Sequence, residues 1–401
     1  MLKYNYKSLQ AFLLSLIAMR YLLHFTPIVG YSDFYANSAK AITFISMLIY
    51  FNHLKQLNFK KQPFEEIILI TIMFFFVFVF VVKFDLINFA SYMAFMWSMF
   101  LIVTSSREIL NLAFGYFRTI FVITLIPSIL LYPLIATGLS PVGEIVPIHE
   151  IKEQLGWYYK NYLFSFQLID YFHQDGALFY RMSGLFDEAG VVGTFSALFL
   201  IVDRYSKNMT NAILIAAGFL SFSFAFYVMT LIYFLFSLKI SKILAAALFA
   251  LPLFFVLQSN SFVQERLLDR FSVSEGKFAG DNRANEEFDR AYTNFIDSSQ
   301  IWMGVENQDS YAMGAASWKN LLWDYGIIGS TLLLLFFVLY ATSNVKGDLK
   351  LYWPFLAIFA LNIYQRPHVF DPAYVLIFAS GIAYIAVNHH TKQPSPVALR
   401  T

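Results

Sequence analysis

Glu66-Ile-Ile-Leu-Ile-Thr-Ile-Met-Phe-Phe-Phe-Val-Phe-Val-Phe-Val-Val-Lys83 places sixteen uncharged residues between a carboxylate and a lysine. Thr71 alone among them carries a polar side chain. Such a run approaches the roughly 20 apolar residues a helix needs to cross a bilayer core. It has no polar face of the kind a helix on the surface of a soluble domain must keep. Further stretches of this character lie near 9–30, 38–53, 86–104, 116–138, 188–203, 210–223, 224–238, 241–258, 319–341, 351–365 and 371–388. With 66–83 they predict an all-α, polytopic integral membrane protein of about twelve transmembrane helices, forming one membrane domain over residues 1–401. The apolar stretch 210–238 reads as two spans broken at Ser221-Phe-Ser223.

Composition agrees. The chain is 58% hydrophobic and 13% charged, where a soluble domain carries about a quarter charged residues. Phe supplies 46 residues and Tyr 25, a density suited to helix interfaces and headgroup belts. Cysteine is absent, which excludes disulfides, thiolate metal sites and cysteine nucleophiles. A net charge of +2 gives no basis for a nucleic-acid partner. The first apolar stretch lacks a small-residue cleavage site followed by a soluble domain, so it is expected to be a retained span. GxxxxGK[ST], HExxH and GxSxG are all missing. The seven histidines are scattered, with only His389 and His390 adjacent, so no metal site is expected.

Lysine and arginine positions set the orientation. With the N-terminus inside, the inner segments carry Lys3 and Lys7; Lys55, Lys60 and Lys61; Arg107; Arg204 and Lys207; Lys239 and Lys242; Lys346 and Lys350; Lys392 and Arg400. The short outer connections carry only Lys83 and Arg366. The alternation fails beyond residue 210 if 210–238 is one span. Both termini are therefore expected in the cytoplasm. Two long connections, 139–187 and 259–318, then face the periplasm. In the second, Phe288, Ala291, Tyr292 and Phe295 recur at helical spacing behind Asp281 or Asn282 as a cap. In the first, Trp157, Tyr158, Tyr159, Tyr162, Phe164 and Phe166 read as an interfacial helix on the outer leaflet, with sugar stacking as the functional alternative.

Three polar groups lie where these loops meet the spans. The first runs Arg181-Met-Ser183-Gly184-Leu-Phe186-Asp187-Glu188-Ala-Gly190-Val-Val-Gly193. A cation, a turn and two carboxylates lead straight into a helix, whose free N–H groups can bind an anion. An ordinary helix start, with Asp187 and Glu188 favoured by the dipole, explains the same residues. The second group is Arg266 with Arg270, four apart on one helix face, and Arg283 with Arg290, seven apart on another. Arginine is the preferred bidentate binder of phosphate oxygens. Residues 259–318 nonetheless hold five Lys/Arg against ten Asp/Glu, so an anion site there must be local. Glu286 with Arg290, or Arg283 with Glu287, also fit plain surface pairs. The third group is Gly304-Val-Glu306-Asn307-Gln-Asp309-Ser310, then Ser317-Trp-Lys319-Asn320-Leu-Leu-Trp-Asp324-Tyr-Gly326-Ile-Ile-Gly329. Here a polar segment re-enters an apolar helix, and Gly326 and Gly329 allow close packing. Arg20 and His24 share one face of the first span, fitting either a lipid phosphate or an interhelical bond.

Taken in order over roughly 180–340, these motifs resemble Wzy-type O-antigen and capsular polysaccharide polymerases, of the O-antigen polymerase–ligase superfamily. The family often has proline after the glutamate, where this chain has Ala189. Its ligase relatives carry a histidine near the re-entering helix, where this chain reads Ala315-Ala316-Ser317-Trp318, which speaks for polymerase over ligase. The resemblance implies a metal- and cofactor-independent glycosyltransferase of the bacterial inner membrane. Its donor would be a glycan on undecaprenyl pyrophosphate and its acceptor another lipid-linked repeat unit. A flippase and a chain-length regulator would be its partners. It implies catalytic roles for Arg181, Arg283 and Glu188, and pyrophosphate or glycan contacts from Arg266, Arg270, Asp187, Glu306 and Asn320. No Asp-x-Asp sugar-nucleotide motif occurs, in keeping with a lipid donor. The rival readings are an O-antigen ligase, a lipid-linked oligosaccharide flippase or transporter, and a non-catalytic scaffold. Against a transporter, no internal repeat is visible and the long loops are external.

Overall fold

A computed structural model describes residues 2–23, 41, 45, 63–82, 89–146, 153, 156–169, 180–237, 273–274, 277–278, 286–305, 317–345, 347–365 and 371–390. Helices dominate. They are α1 (Leu2–Leu22), α2 (Pro63–Val82), α3 (Phe89–Thr104), α4 (Arg107–Ala136), α5 (Ala189–Val202), α6 (Met209–Leu220), α7 (Phe224–Ser237), α8 (Glu286–Ile296), α9 (Lys319–Asn344), α10 (Trp353–Gln365) and α11 (Pro372–His390). Ten of the expected spans fall on these helices. The other two, 38–53 and 241–258, lie almost wholly outside the described residues. Among the described residues, two helices are long and apolar enough to cross a membrane, α4 and α9.

Side-chain contacts sort the helix termini into two ends. At the first, Lys7 pairs with Glu108, Asn388 Nδ2 donates to Asn111 Oδ1 at 3.2 Å, and Arg107 donates to the Asn344 carbonyl at 2.9 Å. Arg204 reaches the Leu351 carbonyl there at 3.1 Å. At the second end, Tyr132 stacks on Tyr180, the Met182 amide donates to the Leu220 carbonyl at 3.0 Å, and Trp318 stacks on Tyr364. The connection 139–187 therefore leaves and rejoins the bundle at the second end, and 259–318 rejoins it at the same end. Lys7, Arg107, Arg204 and Lys350, all expected inside, gather at the first.

The central helix is α5, in which every residue but Val191 is buried. Phe195 and Phe199 recur at i, i+4 and meet Phe117 and Phe121 of α4 at ring separations of 5.2–6.1 Å. Their spacing aligns them on one face of each helix. Gly193 admits the elbow between α6 and α7, because a Cβ there would collide with Ser223. That elbow is the expected break at 221–223, and Phe222 turns it with φ of 43°. Gly329 plays the same part for α9 against α2, where a Cβ would stand 2.6 Å from the Phe78 ring.

The helical class holds, but the first long connection departs from expectation. Instead of an interfacial helix it forms an antiparallel sheet of β1 (Gly143–Ile145), β2 (Tyr158–Asn161) and β3 (Phe166–Ile169). Tyr159 pairs with Ile145 on one side and Leu168 on the other. Aromatic and β-branched residues fit a pleated, half-buried surface. Residues 162–165 turn the chain between β2 and β3, so the aromatic run folds back on itself instead of continuing as one helix. A further two-residue pair, β4 (Val273–Ser274) with β5 (Lys277–Phe278), lies in the second connection. Helix α8 there is the expected amphipathic one. Its Phe288, Tyr292 and Phe295 are buried against Val305 and Trp323, a small core separate from that of the bundle.

Candidate functional site

The polar segment 180–188 is built from its backbone outward. Tyr180 lies 4.4 Å from the Tyr132 ring, and the Tyr132 hydroxyl donates to the Tyr180 carbonyl at 3.0 Å. Burial pushes the Tyr180 hydroxyl well above the usual phenol range. Gly184 holds φ of 64°, a left-handed conformation that glycine adopts without steric cost. The Phe186 amide closes a turn onto the Ser183 carbonyl at 3.0 Å. Phe186 is buried against Phe121 at 5.2 Å. Asp187 and Glu188 follow, both partly buried, and α5 begins at the next residue. Glu188 occupies the N-cap position with extended backbone, yet its side chain makes no cap hydrogen bond. Its charge nevertheless stands at the positive end of the α5 dipole, which favours it there.

Tyr159 joins the site from β2. Its hydroxyl contacts the Asp187 carboxylate and lies 2.9 Å from the Asp187 carbonyl. Burial first, then the Asp187 and Glu188 charges, raise its pKa far above the ordinary value. Tyr159 is thus a fixed donor that holds Asp187 in one orientation. Sequence reasoning had placed it only in an aromatic run, since the contact joins positions 28 apart.

The segment is sunk into the bundle. A Cβ on Gly184 would sit 3.4 Å from Ser128 Oγ and 3.6 Å from Leu125 Cδ2. Ser128 is eight residues short of the end of α4, or about 12 Å along the axis. The β2–β3 hairpin descends to the same level. Ser128 Oγ donates to the Phe164 carbonyl at 3.3 Å, and Ser183 Oγ donates to the Phe166 carbonyl at 2.7 Å.

Arg181, Asp187 and Glu188 lie on one short segment, as their sequence positions require, and all three are partly buried. Asn320 sits on another element at the same end. It is buried at the start of α9, where its Oδ1 accepts the Ser317 amide at 3.2 Å. Its neighbour Lys319 pairs with Asp289 of α8 at 2.6 Å. Gly304 and Gly326 let the second connection lie backbone to backbone on α9, and the Val305 amide donates to the Trp323 carbonyl at 2.8 Å. Arg266, Arg270, Arg283 and Glu306 lie outside the described residues. Arg20 lies over the Tyr21 ring at 4.5 Å, near Asp371.

At the opposite end sequence reasoning missed a buried network. Arg118 Nη1 is 2.8 Å from Asp203 Oδ2. Asp203 also accepts from the Tyr384 hydroxyl at 2.6 Å and from Asn211 Nδ2 at 2.7 Å. This ties α4, α5, α6 and α11 together around a carboxylate held by several donors. Chemically, the 180–188 segment offers a cation, two carboxylates and a helix N-terminus within one stretch, suited to an anionic leaving group and a proton acceptor. Among known proteins the chain matches no family model, no curated protein and no solved structure.

Proposed function

We propose that this chain is a multi-pass polysaccharide polymerase of the bacterial inner membrane, both termini cytoplasmic and its site facing the periplasm. It would transfer a growing O-antigen or capsule glycan from undecaprenyl pyrophosphate to the non-reducing end of another lipid-linked repeat unit. The membrane part of the reading is supported by the outside of the bundle. Along α2, Ile70, Met73, Phe74 and Val77 are exposed, Phe74 at 62%, a continuous apolar surface that water does not tolerate but lipid does. The enzymatic part rests on one observation: the charged segment 181–188 enters a helix buried everywhere but at Val191, at the bundle end where the second long connection also returns.

In this reading the donor's C1–O bond breaks and its electron pair passes to the pyrophosphate oxygen. Arg181, with Arg283 of the second connection, offsets that charge. The acceptor hydroxyl bonds to C1 and gives its proton to Glu188, the candidate base. Tyr159 orients Asp187 beside it. Holding both lipids in one bilayer supplies proximity, and fixed donors aimed at developing charge supply about 10²–10³ in rate. The test is purified protein in vesicles with a polyprenyl-pyrophosphate-linked repeat unit and EDTA. The expected result is a ladder of longer lipid-linked glycans with free polyprenyl pyrophosphate released in step. Substrate that stays a single repeat unit, or growth only when Mg²⁺ is restored, would contradict this mechanism.

A further inference from the structure

We infer that the turn joining β2 and β3 is immersed in the acyl chains of the outer leaflet, an inference that rests on the membrane reading above. Leu163 and Phe164 form the tip of this turn, and they are 62% and 61% exposed. A periplasmic turn in water would be expected to carry glycine, asparagine or aspartate. Leu163 instead holds φ of 70°, a left-handed conformation that a branched side chain adopts only at a cost. An apolar residue kept in a position that disfavours it has a use for its side chain.

Depth supplies the second strand of support. The Phe164 carbonyl is held by Ser128, well short of the end of α4. The exposed apolar ridge of α4, formed by Ile123, Ile126, Leu130 and Leu134, runs past that level toward the helix end. Wherever lipid covers Leu134, it stands higher than the hairpin tip. A lipid-exposed turn must also satisfy its own backbone. The Tyr162 amide donates to the Ser165 carbonyl at 2.9 Å, Phe164 to Tyr162 at 2.9 Å, and Phe166 to Gly184 at 2.8 Å. The Leu163 amide is taken by the Asn161 side chain at 2.8 Å. The same hairpin is bonded to Ser183 and Gly184, so its tip forms a lipid-side lip beside the charged segment.

The absence of cysteine makes a site-specific test direct. Leu163→Cys and Phe164→Cys, each labelled with bimane, are reconstituted in phosphatidylcholine vesicles with or without brominated acyl chains. Leu130→Cys on the α4 ridge is the reference for lipid, and Lys350→Cys the reference for water. Loss of emission to brominated lipid at 163 and 164 as deep as at 130, with no loss to iodide, is the expected result. Phe164, whose backbone is outside the left-handed region, carries the test if Leu163→Cys does not fold. Quenching at 130 by lipid but at 163 and 164 by iodide alone would overturn the inference and leave the membrane reading standing. Absence of lipid quenching at 130 as well would overturn both.

Discussion

Replacing Gly326 with alanine should detach the second long connection from the bundle without unfolding the bundle itself. Gly326 holds φ of 59° and ψ of −172° inside α9, a region essentially restricted to glycine. A Cβ there would lie 2.5 Å from the Gly304 amide nitrogen and closer still to the Trp302 carbonyl. Both obstacles are backbone, so no rotamer change relieves them. Backbone strain of about 1–3 kcal/mol adds to loss of the Val305–Trp323 hydrogen bond, worth about 1 kcal/mol. Loosened packing of Phe288, Tyr292 and Phe295 on Trp323 brings the cost to about 3–5 kcal/mol. Because that small core is separate from the main one, the opening is local. Limited trypsin digestion of detergent-solubilised protein, read by mass, should show cleavage within 286–318 while the fragment holding α1–α7 survives. Gly304→Ala should behave alike, since its Cβ would stand 2.8 Å from the Asp324 carbonyl at φ of 86°. Gly115→Ala meets nothing within 4 Å and should be neutral or stabilising by about 0.5–1 kcal/mol. Gly326→Ala protein as resistant as the parent would refute the reasoning.

Asp203→Asn should destabilise the bundle by about 3–5 kcal/mol, because it leaves Arg118 buried beside a neutral partner; Lys7→Ala, at an exposed pair, should stay within about 1 kcal/mol, both read as thermal midpoints in detergent. Burial keeps the folded Tyr159 phenol protonated above its ordinary value of 10.0. The unfolded chain then loses its proton first, so stability is intact below pH 10 and falls above it, by about 1.4 kcal/mol per pH unit for this group. Tyr159→Phe should flatten that alkaline decline. Reporter fusions after Thr401 and within 275–280 should report cytoplasm and periplasm respectively; a cytoplasmic signal from the second would overturn the orientation.

Much of the helical frame was legible because a long apolar run has few other fates. The break at Ser221-Phe-Ser223 was readable only through the lysine and arginine alternation, since its flanks are equally apolar. The start of α4 at Arg107 was not, because Asn111 and Arg118 dilute the lower turns. A local signal was present there: Ser106 Oγ accepts the Ile109 amide ahead of Glu108. The sheet of the first connection was misread because a dense aromatic run suits a membrane interface and a strand alike, and its pairing of Glu144 with Lys160 joins residues well apart in the chain. At the candidate site, the order Arg181 to Gly193 and the turn at Gly184 were visible in sequence. The contact of Tyr159 with Asp187 and the Arg118–Asp203 pair were not, since each joins residues far apart in the chain. Gly326 was read as a packing residue between helices, whereas its backbone conformation admits another stretch of backbone.

The central claim, that the charged segment 181–188 carries glycan transfer, is tested most directly by glycan laddering in a deletion strain complemented with arginine variants, with membrane protein level measured for each. Arg181→Ala and Arg283→Ala should lose the ladder, a fall of about 10²–10³ in rate. Arg181→Lys and Arg283→Lys should fail too, because a point charge does not replace a bidentate fork. Arg290→Ala, on the exposed face of α8, should be mild. A normal ladder from well-expressed Arg181→Ala and Arg283→Ala would contradict the account and remove the segment from the chemistry.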